Sequence, residues 1–420
     1  MGGTVNRPAE PAVSVVIPAY NADATLARAI ESALRQTAGI PEILVCDDGS
    51  TDGTAAILER YGDRVTAIHQ DNRGRSSARN RCLDLATGRF VAFLDADDWW
   101  RPEKLETQLA AAAQHPQCDV FYGNQHIVDA GGNVYRSMNG RWHVAHSGWI
   151  FPYLVRNNFV PTSSVLVRRE ALEAVGPFDE ALPRCQDLDL FLRLAVRSQF
   201  HYTNAILGYY DDRTWTTPDK HTDTFAMFVR VLDKTRDSFP ELAREHAHHF
   251  AKSYCDCYCE LARFATDAGQ PAQAAEYYEQ ALRHTPRARA VQWRRALALY
   301  AAGRYEKSIE ALEHYLEQDP HHAEARFYLG NALMALDRTP EARQEYENAL
   351  YGGHLYQQFP ECVNNLGAAY ARLSHPQRAE ELFSQALQQQ DFYSDALFNL
   401  DRLRADESPD DLKWTRRKVF

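Results

Sequence analysis

An apolar run in FVAFLDADDWW (90–100) ends in Asp95, Asp97 and Asp98, with Trp99 and Trp100 directly behind. Side chains of an extended segment alternate with period two, so Asp95 and Asp97 face one side. Two carboxylates on one side of a strand end suit a hard divalent cation that also contacts a diphosphate. An Asp-rich turn capping a helix that starts near Pro102 uses the same residues, and both readings stand at this level. Two further polar pairs also follow apolar runs: Tyr20-Asn21 after VSVVIPA, and Asp47-Asp48 at the end of EILVCDD.

The elements that must position these groups are legible as two halves with different periods. AVSVVIP (12–18), EILVCDD (42–48), RVTAIHQ (64–70) and FVAFLD (90–95) are each followed by an amphipathic stretch. Continuous apolar strands separated by such helices indicate a mostly parallel sheet covered on both faces, a doubly wound α/β domain. Ligands of such sheets bind beyond the carboxyl ends of the strands, where the polar pairs fall. We expect this domain over residues 12–217, preceded by a tail at 1–11 and followed by connecting helices at 218–253.

After about residue 254 a longer period takes over. Gly269 and Gly303 lie 34 residues apart, as do Pro286 and Pro320. Ala262, Ala296, Gly330 and Gly367 follow at intervals of 34, 34 and 37, with residues 357–359 as an insertion. Helix–turn–helix units of this length, with small residues where helices touch, resemble tetratricopeptide repeats. The stack is expected over 254–405, as about four repeats and a capping helix. The first helices of the repeats would line a groove showing Trp293, Tyr300, Phe327, Asn331, Asn364 and Arg372. Amides and aromatics suit an extended peptide, because they can hydrogen-bond its backbone whatever its sequence. The closing stretch at 406–420, with LKWTRRKVF, reads as a frayed terminus rather than a membrane anchor.

Composition bounds the partners. The net charge of −11 argues against a nucleic-acid partner, so any phosphate must be held by amides, a few arginines or a metal. No apolar stretch approaches the ~18 residues of a membrane span, and the start lacks a signal-peptide core. Eight scattered cysteines without a paired framework point to a reducing cytoplasm. Cys255, Cys257 and Cys259 lack the spacing of a zinc site and read as buried small hydrophobes. A homodimer is a further expectation, with the repeats as its scaffold.

VSVVIPAYN (13–21), EILVCDDGSTDGT (42–54), NRGRSSARN (72–80) and FLDADDWWRPEKL (93–105) occur in that order. Together they resemble the family-2 inverting glycosyltransferases of the GT-A fold across roughly residues 12–215. The resemblance implies that Pro18, Ala19 and Tyr20 border a nucleotide base and that Asp48 accepts from a uracil N–H. It implies further that Arg79 approaches the nucleotide, that Asp95 contacts the ribose, and that Asp97 holds a Mn²⁺ or Mg²⁺ ion on the diphosphate of a nucleotide-sugar. RCQDLDLFLRLA (184–195) resembles the family's acidic pair, which makes Asp187 the catalytic base and Asp189 its competitor. Two departures stand out. Gln186 replaces the usual Glu, and GYYDDRTWTTPDKH (208–221) offers only Arg213 and His221 for a loop that closes over the diphosphate. The leading expectation is a metal-dependent inverting transferase acting on a protein or peptide. Transfer to a surface or lipid-linked saccharide is the alternative, and an inactive repeat-bearing adaptor is the reading from another class.

Overall fold

The computed structural model describes residues 12–415 apart from 40, 130–131, 139–143, 213–217, 353–358, 391–392 and 406–407. The chain divides into two compact units, residues 1–253 and 254–420. Each is built on its own pattern of burial.

In the first unit nine strands form one sheet, and four of them carry the predicted parallel run. β1 (Val13–Ala19) pairs in parallel with β2 (Glu42–Asp48) and with β4 (Phe90–Phe93), and β2 pairs with β3 (Thr66–Gln70). Val15, Val16, Ile17, Val45 and the whole of β4 are fully buried, as strands covered on both faces require. α1 (Leu26–Leu34) supplies one cover by burying Leu26, Ala29, Ile30 and Ala33, a single helical stripe. Between β2 and β3 lies α2 (Thr54–Glu59), and α3 (Arg75–Leu83) precedes β4.

Beyond β4 the sheet departs from the expected parallel order. With β5 (Trp99–Trp100), β6 (Cys118–Val128), β8 (Leu166–Arg168) and β9 (Gln199–Asp211), the order of strands is β3-β2-β1-β4-β8-β6-β9-β5, and β7 (Val134–Ser137) lies beside β6. β8 runs antiparallel to both β4 and β6, whereas β9 runs parallel to β6. β5 is antiparallel to β9. The sheet is therefore mixed. Its far half is made of a three-residue strand, a two-residue strand and two long ones, which present no uniform apolar period. Four helices pack in this region: α4 (Lys104–Gln114), α5 (Phe151–Arg156), α6 (Arg169–Val175) and α7 (Gln186–Arg197). α8 (Pro218–Ser238), α9 (Pro240–Glu245) and α10 (Ala247–Asp267) follow.

The second unit is all helical. After α10 come α11 (Pro271–His284), α12 (Arg289–Ala301), α13 (Tyr305–Gln318), α14 (Ala323–Ala335), α15 (Thr339–Tyr351), α16 (Pro360–Arg372), α17 (Pro376–Gln389) and α18 (Ser394–Arg404). Small residues sit where helices touch. A Cβ on Gly330 would meet the Tyr346 ring at 2.5 Å, and one on Gly367 the Phe383 ring at 2.7 Å. Both partner rings are fully buried and cannot swing aside.

Gly330→Ala is therefore expected to destabilise the repeats by about 1–3 kcal/mol, the usual cost of overpacking. Denaturant unfolding would read it; an unchanged midpoint would mean that α14 and α15 are less closely packed than described.

Candidate active site

The parallel pairing brings the carboxyl ends of β1, β2 and β4 side by side, with Ala19 opposite Asp47 and Val16 opposite Phe93. The chain then turns sharply at each end. Asn21 takes a left-handed conformation (φ 46°) and its side chain accepts from the Thr51 N–H at 2.9 Å. Gly49 has φ 73°, and a Cβ there would stand 2.8 Å from the Asn72 nitrogen. Only glycine meets both conditions without strain, which accounts for the Gly of the DDGS turn. Asp48 is buried and accepts from Gln70 Nε2 at 2.6 Å and from the N–H groups of Arg73 and Gly74 at 2.8 Å each. The carboxylate thereby fixes the segment that leads into α3. Ala19 is buried, Pro18 half-buried, and Tyr20 is 51% exposed.

At the end of β4 the acids gather. Arg79 of α3 is 2% exposed and donates through Nη2 to Asp95. Its Nε and Nη1 are buried without a hydrogen-bond partner, and the guanidinium lies 5.2 Å from the Phe178 ring. Unmet donors on a buried cation are costly, so the arrangement suits an incoming anion. Burial, with the negative Asp95 and Asp211 beside it, pushes the Asp97 carboxyl up to about 6. Burial and the charges of Asp97 and Asp95 push Asp98 up too, and its Oδ1 accepts from the Asp211 N–H at 3.2 Å. Two cations answer this group directly: Arg79 pairs with Asp95, and Arg28 Nη2 lies 3.1 Å from Asp211 Oδ2 and donates to the Asp97 carbonyl at 3.0 Å. Among the described residues no three His, Cys, Asp or Glu side chains form a ready-made metal cage. A hard-oxygen donor set with excess negative charge fits Mg²⁺ or Mn²⁺ held by one or two carboxylates together with substrate phosphates.

The two carboxylates of α7 fall into different situations. Asp189 is 2% exposed and committed to two cations, Arg193 at 2.9 Å and Lys234 at 2.7 Å. Asp187 is half-buried and meets no cation at salt-bridge distance among the described residues. Its Oδ2 accepts from Asn158 Nδ2 at 3.0 Å and from Thr162 Oγ1 at 3.2 Å, and its Oδ1 from the Leu188 N–H at 2.9 Å. Cys185 just before it takes φ 57°, a strained conformation that sets the angle at which α7 begins. Gln186 is buried, with its Oε1 lacking a partner.

Three residues here escaped the sequence reading. Thr162 and Ser163 stand in the turn PTSS (161–164), and Ser163 Oγ accepts from the Asp95 N–H at 3.0 Å. Asn158 precedes them. Hydroxyls behind a proline signal a turn, but nothing in the spacing shows which carboxylates they hold. Trp99 stacks on Tyr209 at 4.9 Å under the Arg28 guanidinium, and the Trp100 indole donates to the Ser163 carbonyl at 2.7 Å. Both tryptophans thus pack the sheet rim. Arg213 lies outside the described residues, as does the side chain of His221.

The expected groove residues of the repeats need correction. Phe327 is fully buried, tilted against Phe359 with centroids 4.7 Å apart, and is a core ring. Asn331 is also fully buried and accepts from Tyr346 Oη at 2.8 Å and Asn365 Nδ2 at 2.7 Å. Asn364 is covered by the segment Leu412–Thr415, to which it donates. That segment was expected to be frayed; it is instead docked on the repeats. Trp293 is half-buried among Tyr315, His322 and Tyr328. Arg372 is largely covered, 3.5 Å from both Asp337 and the Asp410 carbonyl.

A strand-end acidic cluster on a mixed α/β sheet, with a helix-borne carboxylate across from it, defines a transferase of the GT-A fold. The model of glycosyl transferase family 2 matches residues 14–176, and tetratricopeptide-repeat models match 259–321 and 299–351. The chain is 34% identical over 186 residues to the UDP-Glc:alpha-D-GlcNAc-diphosphoundecaprenol beta-1,3-glucosyltransferase WfgD of Escherichia coli, covering 44% of this chain and 69% of that protein. It is 43% identical over 165 residues to the putative teichuronic acid biosynthesis glycosyltransferase TuaG of Bacillus subtilis (38% of this chain, 64% of that one). Chondroitin synthase of E. coli shares 32% over 199 residues, 47% of this chain and 28% of that protein. Of many of its curated relatives' own length the chain spans about half or less. The chain belongs to glycosyl transferase family 2.

The raised Asp97 carboxyl has a stability consequence. Its folded pKa lies above the ordinary value, so the folded state gains stability as pH falls through about 6 and carries the cost of the charge above it. Asp97→Asn should stabilise the protein at pH 7 by on the order of 2 kcal/mol, with the gain disappearing near pH ~4. Thermal melts of both proteins across that range would show it; an equal gain at pH 7 and pH 4 would contradict the origin in charge.

Proposed function

We propose that this glycosyltransferase moves a sugar, with inversion, from a UDP-sugar to a hydroxyl of a saccharide or lipid-linked glycan. The observation that carries the reading is the division of labour in α7. Asp189 is neutralised by Arg193 and Lys234, and Asp187 is held by neutral donors beside the strand-end acids. The acceptor oxygen attacks the anomeric carbon while Asp187 takes its proton, and the carbon–oxygen bond to the diphosphate breaks on the opposite face. Pro18, Ala19 and Tyr20 border the base, and the Asp48 carboxylate has capacity for one more donor, as a uracil N–H would supply. Arg79 approaches the nucleotide, and Asp95 contacts the ribose. Asp97, with Asp95, would hold a divalent cation, which neutralises the departing diphosphate when bound.

The glycan acceptor is supported by what the relatives' names state of those proteins: a diphosphoundecaprenol-linked glycan, teichuronic acid and chondroitin. A polypeptide acceptor held by the repeats is the second reading, favoured by the amide side chains of α16 and α18. A reducing, cytoplasmic setting fits the eight free cysteines. No described helix is long and apolar enough to cross a membrane.

Release of UDP from a panel of UDP-sugars, with Mn²⁺ or with EDTA, tests the reading. Asp187→Asn should keep calorimetric UDP binding within about twofold and lose at least ~10³-fold in turnover. Asp97→Asn should lose the cation-dependent part of binding. Wild-type turnover in Asp187→Asn would refute the assignment of the base.

A further inference from the structure

The segment Leu412–Thr415 lies against the repeats in a specific way. Asn399 Nδ2 donates to the Lys413 carbonyl at 2.5 Å, and the Lys413 N–H donates back to Asn399 Oδ1 at 2.6 Å. Two residues on, Asn365 Nδ2 donates to the Thr415 carbonyl at 3.1 Å, and the Thr415 N–H donates to Asn365 Oδ1 at 2.7 Å. Asn364 adds a bond to the Lys413 carbonyl at 3.3 Å. Asn399 and Asn365 thus each serve both backbone groups of one residue. In an extended chain alternate residues present those groups on one edge, so two asparagines suitably spaced imitate a neighbouring strand.

The spacing comes from the repeat itself. Asn365 and Asn399 occupy the same place in α16 and α18, 34 residues apart. The intervening side chains serve as anchors: Leu412 is buried against Ala368, Ala371, Phe383 and Leu400, and Trp414 packs on the same cluster. At the read positions the Lys413 ammonium lies over the Phe398 ring, 4.1 Å from its centroid, and Thr415 Oγ1 donates to Asp395 at 2.9 Å and pairs with Tyr393 Oη.

We propose that α16 and α18 form a polypeptide-backbone binding site, that Leu412–Thr415 of this chain is its built-in occupant, and that an extended polypeptide binds by displacing it. Recognition falls on N–H and C=O groups, so the ligand needs apolar residues in the places of Leu412 and Trp414. At the two read positions proline is excluded because it lacks the N–H, while the Thr415 hydroxyl adds side-chain bonds of its own to Asp395 and Tyr393. The proposal does not depend on the glycan or peptide nature of the transferase's acceptor.

The probe is fluorescein-labelled SPDDLKWTRRKVF (408–420), titrated by anisotropy into the intact chain and into a chain ending at Ser408. The shortened chain should bind at least about tenfold more tightly, because its site is vacant. A peptide with Lys413→Ala should bind within about threefold of the parent, whereas Lys413→Pro should lose about tenfold or more. Equal affinity of the intact and shortened chains would overturn self-occupancy. Equal affinity of the alanine and proline peptides would overturn backbone reading, leaving charge or side chains as the attraction. Should the shortened chain fail to fold, a full chain carrying Lys413→Pro with Thr415→Pro keeps the Leu412 and Trp414 anchors and should bind the parent peptide more tightly than wild type does. If that chain also fails to fold, the segment is an integral part of the stack and the proposal fails.

Discussion

The site depends on two neighbouring hydroxyls. Ser163 takes the backbone N–H of Asp95 through its side chain and the indole N–H of Trp100 through its carbonyl. Thr162, one residue before it, donates to Asp187. Consecutive Cα atoms are ~3.8 Å apart, so a single peptide unit ties the acids of β4 to the carboxylate of α7. The short strand β8 follows at once and is wedged antiparallel between β4 and β6. The break in the parallel order is thus the means by which the 162–163 turn reaches the end of β4.

The second organising fact is negative charge left partly unanswered. Asp95, Asp97, Asp98 and Asp211 act on one another, and Arg28 and Arg79 offset only part of their charge. A site built for folding alone would not collect four carboxylates and then leave nitrogens of a buried arginine without partners. Both oddities are what the proposed nucleotide-sugar and its cation would answer. Strain at Asn21 and Cys185 occurs beside the same site, where it fixes how β1 and α7 deliver their neighbours.

The near half of the sheet was legible because its strands are buried on both faces and read as unbroken apolar runs. The acids were legible because they interrupt those runs abruptly. The far half was not, since β5 is two residues long and β6 and β9 carry polar side chains that pair only across a fold not yet formed. Asp187 and Asp189 differ in two cations: Arg193, four residues beyond Asp189 and legible as a helical pair, and Lys234 in α8, forty-five residues beyond Asp189 and invisible to local pattern. In the repeats the period of 34 located the helices but not their rotation. Counting from approximate repeat starts selected Phe327 and Asn331, which face the core, and passed over Asn365 and Asn399.

Those asparagines carry a wider argument. Asn331, Asn364, Asn365 and Asn399 are all fully buried in a helical stack whose core otherwise prefers alanine and rings. Buried amides are tolerated where every group finds a partner, and replacing them with leucine would normally cost a helical core little. Asn364, Asn365 and Asn399 find partners in one another and in the backbone of Lys413 and Thr415, whereas Asn331 pairs with Tyr346 and Asn365. Three of these amides thus carry polar capacity that a backbone segment lying on the stack satisfies, which is what the proposed binding site requires.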